Sequence, residues 1–400
     1  MTFRLLWVLG IAMGLAGVCL ARAQTPPDLR AERVAHALAP FVEAAMVEGQ
    51  IPSLTLALVE GDSVLWTGGF GFSNLWARTP AVPETVYLIG STFKTIAALA
   101  LLQLRDAGVL ALDDPVRRHI VPLAIAGEDG AQPITFRHLL THTSGLPVAF
   151  DGYPVWGDTA PPPLEDYLRD ALAVEVPPST RLEYSNLGFA LVGYVVEKHA
   201  GIPFRAYIQQ HIFDPLDMVS TAFIPTPEML ERLAVPYEID PDTRRPVPAT
   251  ALKASVWPAG IVYGTVNDLA HWLLANLNGG VYRGRSILSP ASVDEAMTRQ
   301  FDRFKGRVAD LWGGDEAGYG LAWWTDVRDG ERYFAHSGSV PGYTAFIQGN
   351  RDRRLGIAIL SNGHRAHPYL IRLADQAMAL LAGAAPDPLP VAAPEASGPR

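Results

Sequence analysis

Cysteine is nearly missing from this 400-residue chain; Cys19 is the only one. It lies in the opening stretch "MTFRLLWVLGIAMGLAGVCLARAQTPPDL". There Arg4 gives a short positive start, Leu5 to Leu20 an apolar run, and Ala21-Arg22-Ala23 a small-x-small cleavage signal. Residues 1–23 read as a secretory signal peptide, which predicts export to the periplasm or the extracellular space. The competing reading is a membrane anchor that stays uncleaved. Val18, ahead of Cys19, is a poor fit to a lipidated cysteine. Without residues 1–23 the chain holds no cysteine, which excludes disulfides, cysteine nucleophiles and cysteine metal ligands.

Lysine is also scarce, with only Lys94, Lys198, Lys253 and Lys305. No basic run reaches five residues, and the net charge is −9. Losing Arg4 and Arg22 with the signal, and no acid, takes it to −11 (−9 − 2). Both features speak against a nucleic-acid partner. No later uncharged apolar run is long enough to cross a bilayer, and no internal repeat is visible. What the chain has in quantity is apolar residues, 49% of the total, enough for a sizeable core.

Strand patterns stand at both ends and helical patterns between them. Residues 28–48 read as an amphipathic helix. "LTLALVEGDSVLWTGGFG" reads as two strands about a tight turn at Gly61-Asp62. A helix carrying Ser91 and Lys94 follows and ends near Gly108. Residues 110–250 hold many prolines and short helical patterns. In "TVNDLAHWLLANLNGG", Thr265 is the expected N-cap, with Asp268 three residues on and Gly279-Gly280 closing the helix. "RYFAHSGSV", "YTAFIQGN" and "RLGIAILSN" are successive strand candidates, with His336 ending the first. A last helix covers about 366–382, and a Pro/Ala-rich tail over 384–400 reads as disordered. The expected architecture is an α/β fold of the α+β type in one domain, residues 28–383. One antiparallel sheet is built from about 28–109 and 255–383, and a mostly helical region, about 110–254, is inserted. The cleft is expected between the two parts.

Ser91 and Lys94 stand three apart at the head of "TIAALALLQL". On a helix they share one face. A lysine among apolar side chains loses hydration, which disfavours its charge, and a neutral amine can take a serine proton. Taken alone, the spacing also fits a cap serine followed by a surface lysine. Two further short motifs, Tyr184-Ser185-Asn186 at a helix start and His336-Ser337-Gly338 on a strand edge, can face the same cleft.

With these three motifs the sequence resembles the serine β-lactamase and penicillin-binding-protein superfamily. The likeness is nearest to class C β-lactamases and their esterase, D-aminopeptidase and DD-carboxypeptidase relatives. "GGFGFSN", "GVLALDDPV", "ITFRHLLTHTSGLP", "PAGIVYGTVNDLAHW" and "HSGSVPGY" add to it, in the family's order, from about residue 40 to 365. The resemblance implies a β-lactamase/transpeptidase-like fold and a serine hydrolase working through an acyl-enzyme, without cofactor or metal. Ser91 would be the nucleophile, with Lys94 and Tyr184 sharing the proton work in an order left open. Asn186 would bind the substrate amide and steady Lys94. The backbone N–H groups of Ser91 and Ser339 would form the oxyanion hole, with Ser337 and Gly338 on the same strand.

The third motif departs from the usual Lys-Thr-Gly. With His336 in place of the lysine, the site should hold carboxylates weakly at neutral pH and more strongly as the imidazole gains a proton near pH 6. That favours an esterase or D-amino-acid peptidase acting on small-molecule esters, amides or peptidoglycan-derived peptides. The alternatives are a weak class C-like β-lactamase or DD-carboxypeptidase, or a non-catalytic peptidoglycan- or partner-binding protein.

Three signals carry little. His138 and His142 in "HLLTH" have the spacing of paired zinc ligands on a helix, but residue 139 is leucine, not glutamate, and packing is the expected role. Trp323-Trp324 read as core or cleft lining. Asp113-Asp114, ahead of Pro115, reads as a turn.

Overall fold

The computed structural model describes residues 29–128, 132–148, 163–250, 257–302, 312–314 and 316–385. Residues 1–23, read from the sequence as a signal peptide, and the tail beyond residue 385 lie outside the described residues.

Helix α1 (Leu29–Gly49) buries Val34, Leu38 and Val42, one stripe at four-residue spacing. Strands β1 (Ser53–Glu60) and β2 (Ser63–Asn74) form a hairpin in which Glu60 pairs with Ser63 across Gly61-Asp62. The short β3 (Thr79–Pro80) completes this end. At the other end of the chain come β4 (Phe301–Asp302), β5 (Gly318–Tyr319), β6 (Trp324–Arg328), β7 (Glu331–Val340), β8 (Tyr343–Asn350) and β9 (Leu355–Ser361). They join one nine-stranded sheet, ordered β4-β5-β6-β7-β8-β9-β1-β2-β3. Its pairings are antiparallel, and β1 closes on β9 with Leu54 opposite Ser361.

The sheet is covered on both faces, so its central strands are apolar on both sides. In β1, Leu54, Leu56 and Leu58 face α1 and the C-terminal helix α5 (His367–Leu381). Ala57 and Val59 face the larger core, which holds α2 (Phe93–Asp106), α3 (Asn186–Ala200) and α4 (Val266–Leu277). Thr265 caps α4, accepting from the Asp268 N–H, as its position before the apolar run implied. Trp323 and Trp324 are both buried, on opposite faces; Trp323 stacks on Trp272 at 6.4 Å, and Trp324 lies 5.9 Å from Trp312.

Two expectations need correction. Ser91 does not open the α-helix; it sits in a 3-10 turn, Gly90–Thr92, immediately before α2. His336 does not end its strand, because β7 runs on through Ser337, Gly338 and Ser339 to Val340. What ends near His336 is the partner strand: β6 pairs with β7 only from Glu331 to Ala335. Beyond that point the turn carrying Ser91 lies against β7.

Candidate active site

Helix α2 is buried nearly all round, from Phe93 to Leu102. Such a helix has no polar face on which to hydrate a charge. Lys94, at its second position, is 0% exposed. Its Nζ lies 3.0 Å from Ser91 Oγ and donates to the Ala259 carbonyl oxygen at 2.6 Å. No described carboxylate forms a salt bridge with it. Burial holds the amine well below the usual lysine range. A neutral amine has one lone pair and two hydrogens. It can donate to Ala259 while accepting the Ser91 proton. The ring faces of Tyr184 and Phe189 stand 4.8 and 5.6 Å from Nζ. They would stabilise the ammonium formed by that transfer.

The turn holding Ser91 is fixed from several sides. Ile89 N–H donates to the Val262 carbonyl at 2.9 Å, and Thr92 Oγ1 to the Ile89 carbonyl at 2.7 Å. Gly90 has φ +56, a conformation costly for a residue with a Cβ. The turn presses directly on β7. A Cβ on Gly338 would stand 2.1 Å from the Ile89 carbonyl oxygen and 3.0 Å from the Ser91 nitrogen, and one on Gly90 2.8 Å from the Ser339 nitrogen. The two glycines therefore let the backbones of Ser91 and Ser339 come together, as a two-donor oxyanion hole requires.

Tyr184 and Asn186 flank Ser185, the N-cap of α3, whose Oγ accepts from the Gly188 N–H at 2.9 Å. Asn186 N–H donates to the Val148 carbonyl at 2.9 Å. The Tyr184 hydroxyl is hydrogen-bonded with Ser91, and burial pushes the phenol well above its ordinary range. Among the described residues, the Asn186 side chain makes no hydrogen bond to Lys94. The expected steadying of that amine falls to Ala259.

Ser91, Tyr184, Asn186 and Ser339 keep partial exposure; His336, Ser337 and Gly338 are buried. His336 is 1% exposed. Its Nδ1 is 2.6 Å from the Ser337 carbonyl oxygen, so Nδ1 carries the proton. Its Nε2 faces the Tyr319 hydroxyl at 3.5 Å, and its ring stacks on Trp324 at 5.8 Å. Burial, with Lys94 second, lowers its pKa to about 3. This overturns the expectation that His336 gains a proton near pH 6.

Sequence reasoning missed two contributors. Ala259 acts through a carbonyl, which leaves no side-chain signal. His142 is packed, as expected, but its ring centroid lies 4.3 Å from that of Tyr184. His138 plays a separate part: its Nδ1 accepts the Thr135 N–H at 3.1 Å in a capping box at the head of the helix Phe136–Leu140.

A family model described as Beta-lactamase matches residues 38–382. The octameric penicillin-binding protein homologue of Pyrococcus abyssi superposes with a TM-score of 0.73 at 30% identity, over 89% of this chain and 79% of that one. A β-lactamase/D-alanine carboxypeptidase of Yersinia pestis, solved with citrate, has a TM-score of 0.70 at 22% identity, over 88% of this chain and 99% of that one, and supports the fold. Protein flp of Staphylococcus aureus strain MW2 is 26% identical over 80% of this chain, which spans only 62% of that relative's length.

Proposed function

Because the chain belongs to the Beta-lactamase family, within the serine β-lactamase and penicillin-binding-protein superfamily, we propose that it is an exported serine hydrolase that cleaves uncharged esters or amides through an acyl-enzyme on Ser91. The observation that carries this reading is the 3.0 Å approach of Ser91 Oγ to a wholly buried amine, Lys94 Nζ. Lys94 takes the serine proton as Oγ attacks the substrate carbonyl carbon. The oxyanion forms against the N–H groups of Ser91 and Ser339. Tyr184 stays protonated at neutral pH and is better suited to give a proton to the leaving group than to act as the first base. The Lys94 ammonium returns a proton to Tyr184; water then attacks the acyl carbonyl, giving a proton to the free amine, and the acyl C–Oγ bond breaks as Ser91 Oγ takes that proton back.

The esterase or D-amino-acid peptidase reading is favoured over β-lactamase or DD-carboxypeptidase action by His336. The residue standing for the usual lysine is buried and neutral, so it offers a substrate carboxylate no charge. Labelling with a fluorophosphonate tests the proposal: one adduct is expected on the native protein and none on Ser91→Ala. An adduct that persists in the variant would sink it.

A further inference from the structure

His142 holds the main chain on both sides of Tyr184. Its carbonyl accepts the Glu183 N–H at 2.7 Å, and its Nδ1 accepts the Ser185 N–H at 3.0 Å. Its ring is tilted 33° from that of Tyr184, at 4.3 Å. The residue before the tyrosine is thus tied to the His142 backbone, and the residue after it, with the tyrosine ring itself, to the His142 side chain.

The local chain is shaped for this. The helix Phe136–Leu140 stops at Thr141, and His142 takes φ +56, uncommon for a residue with a Cβ. Thr143 N–H returns to the His138 carbonyl at 2.9 Å, and the Thr141 and Thr143 hydroxyls meet at 2.8 Å. The imidazole is 0% exposed, and Phe189 and Tyr319 pack on it at 5.2 and 5.3 Å.

The tautomer follows from the contacts. Because Nδ1 accepts an N–H, the proton must be on Nε2. Among the described residues Nε2 meets no hydrogen-bond partner and is fully buried. An orphaned buried donor opposes folding, and phenylalanine would fill the same space without one. What imidazole adds over phenylalanine is the Nδ1 acceptor for Ser185, beside a better tolerance of the φ of +56. A group that is unfavourable for packing and bonded to a candidate catalytic segment is better explained by function than by the core. Burial, with Lys94 and His336 nearby, also keeps the ring neutral, so Nδ1 stays free to accept.

We propose that His142 is a positioning residue for the reaction: it sets the place of the Tyr184 hydroxyl relative to Ser91 and Lys94. This rests on the reading of Tyr184 as part of the proton path. Such groups must be placed to about 0.5 Å, and a displacement near 1 Å can cost about a hundredfold in rate.

A mutant cycle on the full chain, with p-nitrophenyl butyrate as substrate, tests it. His142→Phe keeps an aromatic ring beside Tyr184 and removes the acceptor. It should lower kcat by about ten- to a hundredfold and change KM little. Combined with Tyr184→Phe, it should add almost nothing, because the hydroxyl it positions is already gone. If His142→Phe keeps the native kcat, or if the two losses multiply, the proposal is overturned. A full native rate in Tyr184→Phe alone would remove the proton-path reading and this inference together. A slow Tyr184→Phe with multiplying losses removes the inference only. Should His142→Phe fail to fold, His142→Asn, which retains an acceptor near Nδ1, takes its place. There the expectation is a smaller loss of kcat that again vanishes in the Tyr184→Phe background, and multiplying losses again overturn the proposal.

Discussion

The Ala259 carbonyl oxygen accepts from Lys94 Nζ at 2.6 Å, joining a residue at the head of α2 to one 165 positions away. That bond turns the amine toward Ser91 without giving it a counter-ion. A carboxylate in the same place would have favoured the ammonium and removed the base.

Lys94→Met should therefore separate activity from stability. The methionine fills much of the same buried space and takes a partner from the Ala259 carbonyl and from the partly exposed Ser91 hydroxyl. Folding stability should change by no more than about 1–2 kcal/mol. Acylation should fall by about 10²–10⁴-fold, the usual worth of a general base. Stopped-flow acylation and urea unfolding on the same sample check both halves. A variant that acylates at the native rate would remove Lys94 from the proton path. One that cannot fold would make it a packing residue.

Gly338→Ala addresses the contact between β7 and the Ser91 turn. Its methyl would stand 2.1 Å from the Ile89 carbonyl oxygen. The backbone must move, carrying the Ser339 N–H away from Ser91. Losing one oxyanion donor costs about 10²–10³-fold in kcat. The same loss is expected here, with fluorophosphonate labelling of Ser91 slowed in parallel. Near-native kcat would mean that the Ser339 N–H is not a donor to the oxyanion.

Much of this arrangement was legible because it is local. The Thr265 cap, the Gly61-Asp62 hairpin and the three strands from Glu331 to Ser361 each rest on a periodic pattern or a turn residue. Ser91 and Lys94 could be paired from a three-residue spacing. The two-residue strands Phe301–Asp302 and Gly318–Tyr319 could not be found, since two residues carry no period. The 3-10 turn at Ser91 was hidden because Gly90 and the β7 backbone, not helix propensity, set it. The burial of His336 was hidden too. Its neighbours Tyr319 and Trp324 come from other strands of the sheet, and nothing in "AHSGS" marks that contact.

His336 also changes the expected pH behaviour of substrate choice. An exposed imidazole would strengthen carboxylate binding as the pH falls toward 6. The buried ring, with its pKa at about 3, stays neutral throughout that range. The ratio of kcat/KM for nitrocefin to that for a neutral p-nitrophenyl ester should be flat between about pH 8 and 6, once substrate ionisation is allowed for. A several-fold rise in that ratio on acidification, absent in His336→Gln, would show the imidazole protonating in contact with substrate.

Folding stability, unlike substrate choice, should depend steeply on acid. Burial lowers the pKa of His336 to about 3, that of His367 to about 4 and that of His142 well below the ordinary value. In the unfolded chain all three titrate near 6.5. Below that pH the unfolded state binds protons that the folded state refuses, so the part of the stability tied to these histidines is full above about 6.5 and is lost on acidification. Each histidine contributes about 1.4 kcal/mol per pH unit once its unfolded form is protonated. Asp268 acts in the opposite sense. Burial raises its pKa to about 6, so between the ordinary aspartate value and 6 the folded state holds the extra proton. His138, His199 and His271 are lowered as well, so the histidines together outweigh Asp268 and stability falls as the pH drops through this range. A domain with about 5–15 kcal/mol to lose should then unfold within a few pH units. Urea unfolding at steps between about pH 7 and 4.5 measures the slope. His336→Gln removes one titrating group from both states and should flatten it by about 1.4 kcal/mol per pH unit. An unchanged slope in that variant would mean that His336 binds its proton as readily in the folded protein as in the unfolded chain, and that its ring is not the neutral, enclosed group described.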